Sequence, residues 1–305
     1  VKRSPLLKRL INTLMDPVKR SLYSLHFTVM LLGGTALFSQ VIPLSAYDIT
    51  VGRAIFGCIF LFCLVKLTGE TWSLNSTKDY FIGTVLGVIM TLHWVTYFAA
   101  MQYAGVSVGI IALFTFPVIT VFLEPLIDKV KLAWQDVISV IVVFMGIILI
   151  VPEVSLENDI TLGVLVGVLS AFLYALRNIA HRQYFSQYSG IKGMYFQTLI
   201  ISLCSIWFAS DAFWSMDTHT LGLLVLLGTL FTAVPHAMVA ACLRHLRAKT
   251  FSLVACMQPF YGVVLAIIVL NETPRWQTLI GGILVISAAI YETIHTQKQA
   301  TTTPE

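Results

Sequence analysis

The 305 residues are 57% hydrophobic and 11% charged, with a mean hydropathy of +0.86 and a net charge of +4. Soluble domains carry about 25% charged residues, so this composition excludes a water-soluble fold, and its apolar content excludes disorder. What fits is an all-α, polytopic membrane protein with room for about ten spans of ~20 residues.

Residues 1–20 hold Lys2, Arg3, Lys8, Arg9, Lys19 and Arg20, with Leu6, Leu7, Leu10, Ile11, Leu14 and Met15 at helical spacing. That pattern predicts a basic amphipathic segment on the membrane surface, a frayed tail being the alternative. Ten apolar runs follow, near 21–40, 47–67, 79–100, 106–126, 134–151, 160–182, 190–209, 219–242, 250–271 and 275–292, numbered here spans 1 to 10. A tail, 293–305, closes the chain. The connections alternate in charge. One set carries Lys78, Lys129, Lys131, Arg182, Lys192, Arg244, Arg247 and Lys249; the other carries Glu153, Glu157, Asp159, Asp211, Asp217 and Glu272, with Arg275 its single basic residue. Basic loops stay in the cytoplasm, so both termini are expected there. Trp72, Trp134, Trp207, Trp214 and Trp276 fall at span ends, where indole prefers to lie, whereas Trp94 is deep in span 3.

A shift of 142 residues aligns spans 4–5 with spans 9–10 without a gap, placing Pro117 on Pro259 and Trp134-Gln135 on Trp276-Gln277. Five spans is an odd number, so the halves (21–151 and 160–292) enter the bilayer in opposite senses. Inverted repeats with interrupted helices are a common architecture of secondary transporters, with the site at the repeat interface. Pro117, Pro259 and Pro235 each remove a mid-span hydrogen bond, which makes Pro117 and Pro259 candidate hinges. Gly83-x3-Gly87 and Gly163-x3-Gly167 allow close helix approach within the bundle.

Several stretches resemble the EamA-type proteins of the drug/metabolite transporter superfamily. They are Pro43-Leu44 followed by Arg53; Leu92-His93-Trp94 through Tyr103; Thr115-Phe116-Pro117 through Glu124-Pro125; and Gln258-Pro259 followed by Leu270-Asn271-Glu272-Thr273-Pro274 and Gly281-Gly282. The chain departs from twofold symmetry at Val130, which stands where the second repeat has Glu272. The resemblance implies ten spans in two repeats, a multi-pass position in the cell (inner) membrane, and transport, commonly export, of amino acids, other metabolites or drugs.

An arginine at mid-span costs roughly 2.5–3.5 kcal/mol, so Arg53 in span 2 must face protein or water, or snorkel towards Asp48 and the headgroups. Trp94 offers an apolar face and one N–H donor for a ligand, or simply packs. With His93 and Tyr97 these residues can form an outer-half cluster. The reference pKa of histidine is near neutrality, which for His93 leaves coupling to a proton or counter-ion open beside a structural role. An inner group, Tyr174 and Asn178 in span 6, His236 in span 8 and Gln258 and Tyr261 in span 9, mixes aromatic faces with donors and acceptors suited to a zwitterionic or amphipathic solute. Hydrogen-bonded glue between helices is its alternative. Thr115 joins the candidate cavity residues beside Pro117, and Arg177 is expected to snorkel to the inner interface.

Gly105-Val106-Ser107-Val108-Gly109 matches the nucleophile elbow but opens a membrane helix instead of joining a strand to a helix, so hydrolase chemistry is rejected. Intramembrane acids are too few and too near span ends for a membrane enzyme. No Cys/His spacing fits a metal and no basic run fits nucleic acid. The expected partners are a small-molecule substrate and the bilayer, with no cofactor, in a monomer or homodimer. A receptor ranks below a carrier for want of a long loop, and a channel shows no filter-like loop.

Overall fold

The structure, a computed structural model, describes residues 17–128, 134–150, 158–242 and 255–302. Most of the basic segment 1–20 therefore lies outside the described residues, as do Val130 and Glu153. The described residues form helices joined by short turns, and no strand occurs among them. Six helices are long and apolar enough to cross a membrane: Tyr23–Val41, Ala46–Leu67, Thr77–Ala104, Asp159–Tyr184, Gly190–Phe208 and Thr218–Met238. Four shorter apolar helices, Val106–Thr120, Val137–Leu149, Gln258–Leu270 and Trp276–Ala288, fall on predicted spans 4, 5, 9 and 10.

Helix starts follow local chemistry. Ser45, Ser76, Ser189 and Asp217 each accept a hydrogen bond from the backbone N–H three residues on, which satisfies a donor that the first helical turn leaves bare. Spans 3 and 4 meet at Gly105, whose φ of 81° is open to glycine at little cost. The last helix runs from Trp276 to Thr302, beyond the predicted end of span 10.

The offset of 142 holds for the helices themselves. Phe116–Asp128 and Gln258–Leu270 begin and end 142 residues apart, and Trp134 and Trp276 each start a helix. The break before Pro117, a turn at Phe114–Thr115, has its counterpart at Cys256–Met257 before Pro259. Packing obeys the same exchange. Span 3 packs on span 6 as span 8 packs on span 1, and span 4 on span 6 as span 9 on span 1. Spans 2 and 7, 4 and 9, and 5 and 10 pack as mutual pairs, as helices flanking an approximate dyad must.

Contacts at the two ends fix the sense of each half. At one end, Gln102 Nε2 donates to the Leu44 carbonyl at 2.9 Å, and Ser210 Oγ donates to Asp48 at 2.8 Å. Ser107 Oγ donates to Glu272 at 3.0 Å at that same end. This end gathers the turns after spans 1, 3, 7 and 9. At the other, Ser189 Oγ donates to Glu70 at 2.6 Å and Tyr188 to Asp79 at 2.8 Å, joining the turns after spans 2 and 6. The first and third spans of one half thus end where the second and fourth of the other do: the repeats are inverted.

Outward faces are apolar. Ile141, Phe144, Met145 and Ile148 leave half or more of their surface open along span 5, a lipid-facing stripe at helical spacing. The five tryptophans expected at span ends are all exposed, and Trp94 is 2% exposed. Both small-residue motifs pack within the bundle: a Cβ on Gly163 would meet the Ala100 carbonyl at 2.9 Å, and one on Gly83 would meet the Phe196 ring at 2.7 Å.

Candidate functional site

The centre of the bundle is built around a defect in span 8. Pro235 has no N–H, so the Phe231 carbonyl four residues earlier loses its helical donor. Thr35 of span 1 supplies a replacement, its hydroxyl donating to that carbonyl at 3.0 Å. Just before the proline, Thr229–Ala233 open into a π-helical turn, a local widening that recurs at functional sites. The turn lets Thr232 Oγ1 donate five residues back to the Leu227 carbonyl at 2.7 Å while it accepts a 2.7 Å bond from Arg53 Nε.

Arg53 is therefore held inside the protein. It is 4% exposed, its guanidinium lies 3.9 Å from the centroid of the Trp94 ring, and Phe98 flanks it at 5.6 Å. It does not snorkel to Asp48, whose oxygens accept from Ser45 and from the Ser210 hydroxyl and N–H. The Trp94 face read as a ligand platform is covered by Arg53, and the ring is packed among Met90, Met194 and Ile201. Desolvated cation–π contacts are worth about 2 kcal/mol, so Trp94 fixes where the charge sits.

His93 and Tyr97 are buried beside Trp94 on span 3. His93 Nδ1 is 2.9 Å from Ser170 Oγ, which itself donates to the His93 carbonyl, and the imidazole stacks on Tyr174 at 4.8 Å. Phe116, the first residue after the span 4 break, meets Tyr174 edge-on at 4.9 Å. The Tyr97 hydroxyl is buried with no hydrogen-bond partner among the described residues and lies within electrostatic reach of Arg53. Unpartnered buried polar groups are rare enough to require a reason.

Arg177 does not snorkel either. Its Nε donates to Gln197 Oε1 at 2.8 Å and its Nη1 to Asn178 Oδ1 at 3.0 Å, so two neutral carboxamides orient the cation. His93 and His236 each lie within electrostatic reach of both Arg53 and Arg177. The outer residues Arg53, His93, Trp94 and Tyr97 and the inner residues Tyr174, Arg177, Asn178 and His236 are thereby neighbours, joined by the His93–Tyr174 stack and by these charges. Tyr174, Arg177, Asn178 and His236 are half-buried.

Gln258 and Tyr261 stand apart from it. Gln258 Nε2 is 3.5 Å from the Leu32 carbonyl, and the Tyr261 hydroxyl is 3.2 Å from His26 Nδ1, both against span 1. Thr115 turns back to the Ala112 carbonyl at 2.9 Å and caps the first half of span 4. Pro117 and Pro259 each sit second in the segment after a break, where a missing N–H costs no helical bond. Thr232, Ser170 and Gln197 were not singled out in the sequence; a threonine three residues before a mid-span proline was the one signal available for Thr232. Among the described residues no group of His, Cys, Asp and Glu could hold a metal ion.

The chain is 23% identical over 288 residues to the uncharacterized transporter YxxF of Bacillus subtilis, covering 91% of each protein. It is 21% identical to an S-adenosylmethionine uptake transporter of Rickettsia bellii, covering 84% of this chain and 86% of that one. A solved crystal structure superposes with a TM-score of 0.61 over 90% of this chain and 99% of the other, at 15% identity, a likeness of fold. Residues 21–151 and 161–291 each match the EamA-like transporter family, the two segments being the inverted halves described above. This polytopic membrane protein belongs to the EamA-like transporter family, and it is a membrane transporter.

Proposed function

We propose that the protein is a secondary carrier that moves a small metabolite, an amino acid or a related compound, by alternating access between its two repeats. The observation that carries this reading is the cluster around Arg53 and Arg177, set among spans of both repeats beside the π-turn of span 8. Polar groups this deep are expensive in a bilayer and mark solute pathways. Pro117 and Pro259 are its hinges, since each follows a break that leaves two half-helices free to pivot. Trp94 acts by supporting Arg53, while Tyr97, His93, Tyr174, Asn178 and His236 face the solute. Thr115, Gln258 and Tyr261 belong to the moving half-helices. His93 is the residue for coupling to a proton. The charge bias of the loops supports a topology with both termini in the cytoplasm, in the inner membrane of the cell.

Export is the direction argued from the family resemblance. Uptake is the second reading, favoured by the relatives named as S-adenosylmethionine uptake transporters. One experiment separates them. Cells lacking their major exporters would express the protein and be challenged with toxic amino-acid analogues. Export gives resistance and uptake gives sensitisation, and either effect disappears with Trp94→Ala at unchanged protein level. A phenotype untouched by Trp94→Ala would remove the Arg53 cluster from the pathway.

A further inference from the structure

We propose that Arg53 and Arg177 together bind a carboxylate of the transported solute, so that the substrates are organic acids, including amino acids, and neutral or purely cationic analogues are rejected. This deepens the carrier reading and rests on it.

Charge balance carries the argument. Among the described residues neither guanidinium has a carboxylate within ion-pair distance: the hydrogen-bond partners of Arg53 and Arg177 are the hydroxyl of Thr232 and the carboxamides of Gln197 and Asn178. Acidic residues sit within a turn of the predicted span ends or in the tails, and among the described residues the one buried acid, Asp48, is committed to Ser45 and Ser210. Among the described residues the centre of the bundle therefore holds these two cations without a carboxylate beside them. Retaining an unpaired charge in such a place is costly, and as a staple between spans 2 and 8 a neutral donor would serve Thr232 equally well. Arg53, which bonds the protein through Nε, keeps the planar pair on its terminal nitrogens for an incoming anion, the geometry that matches a carboxylate bidentately, while Arg177, engaged through Nε and Nη1, keeps Nη2.

Two further observations point to an organic anion. The buried Tyr97 hydroxyl, without a partner among the described residues and within electrostatic reach of Arg53, is a donor awaiting an acceptor. The Tyr174 ring, stacked on His93 and edge-on to Phe116, gives the adjoining wall an apolar surface for a carbon skeleton. Inorganic anions would satisfy the charges but would leave that wall without a partner.

The test measures thermal stabilisation of the purified full-length protein in detergent by matched probes: benzoate against benzamide, succinate against succinamide, and phenylalanine against phenylalaninol, with inorganic phosphate and chloride as separate arms. The expected result is that at least one acid binds about tenfold more tightly than its counterpart without the carboxylate, the worth of one charge-assisted hydrogen bond. Arg177→Gln should erase that preference and Arg177→Lys should keep part of it. Arg53→Gln should erase it too. If Arg53→Gln does not fold, the Arg177 pair decides the matter alone. Equal binding of acid and counterpart, stabilisation by phosphate or chloride as strong as by any acid, or no stabilisation by any acid overturns the proposal. Flux in proteoliposomes separates the two readings. Transport without acid preference sinks the carboxylate site and leaves the carrier, whereas acid-selective binding by a protein that moves none of its bound probes sinks the carrier.

Discussion

Replacing Thr232 with valine removes one hydroxyl from the centre of the bundle at nearly constant volume. Two bonds are lost. The 2.7 Å bond from Arg53 Nε is charge-assisted and worth about 1.5–3 kcal/mol. The Leu227 carbonyl also loses the threonine donor at 2.7 Å, a penalty of about 1–3 kcal/mol. A double-mutant cycle with Arg53→Met separates them, because the carbonyl penalty appears with or without the guanidinium and cancels. The coupling energy between Arg53 and Thr232 should then be about 1.5–3 kcal/mol. Unfolding of the purified protein by titration with denaturing detergent gives the four free energies. A coupling under about 0.5 kcal/mol, the usual error of additivity, would mean that water or another group holds the guanidinium, and the reasoning about its orientation would fail.

Two more predictions concern the elements around the site. Thr35→Val should cost about 1–3 kcal/mol by orphaning the Phe231 carbonyl, while Thr35→Ser should cost little. In a Pro235→Ala background, where a helical N–H returns, the cost of Thr35→Val should fall; an unchanged cost would show that the hydroxyl serves another purpose. Glu272 accepts from both the N–H and the hydroxyl of Ser107, tying the turn after span 9 to the start of span 4. Glu272→Ala should loosen that end, raising the labelling rate of a cysteine placed at Val106, which is fully buried. Unaltered labelling would show that other contacts hold the end shut.

How much of this was legible in the residues can be judged from particular positions. Span ends were readable because the length of the apolar runs, interfacial tryptophans and loop charges act locally, and the described helices start close to where those signals fall. The inverted duplication was readable from two prolines and a Trp-Gln pair, and the half-helices share the same offset of 142 residues. The site was half readable. Arg53, His93, Trp94 and Tyr97 could be grouped by depth, yet depth alone placed Gln258 and Tyr261 with Asn178 and His236, when they pack on span 1. Arg177 appeared close enough to the interface to reach water, but Gln197 and Asn178 hold it within the protein.

The division has one physical origin. Chain chemistry by itself determined which segments must cross the bilayer, where they stop and that the second half mirrors the first, since each depends on transfer from water to hydrocarbon or on a cap a few residues away. These spans are apolar on nearly every side, so their residues carry little information about which face turns inward. Rotation and partnership are set by close packing between the two repeats, where glycines admit neighbours and the π-turn of span 8 reorients Thr232. Only that packing could decide that one guanidinium would rest on an indole and that a second would be held by two carboxamides.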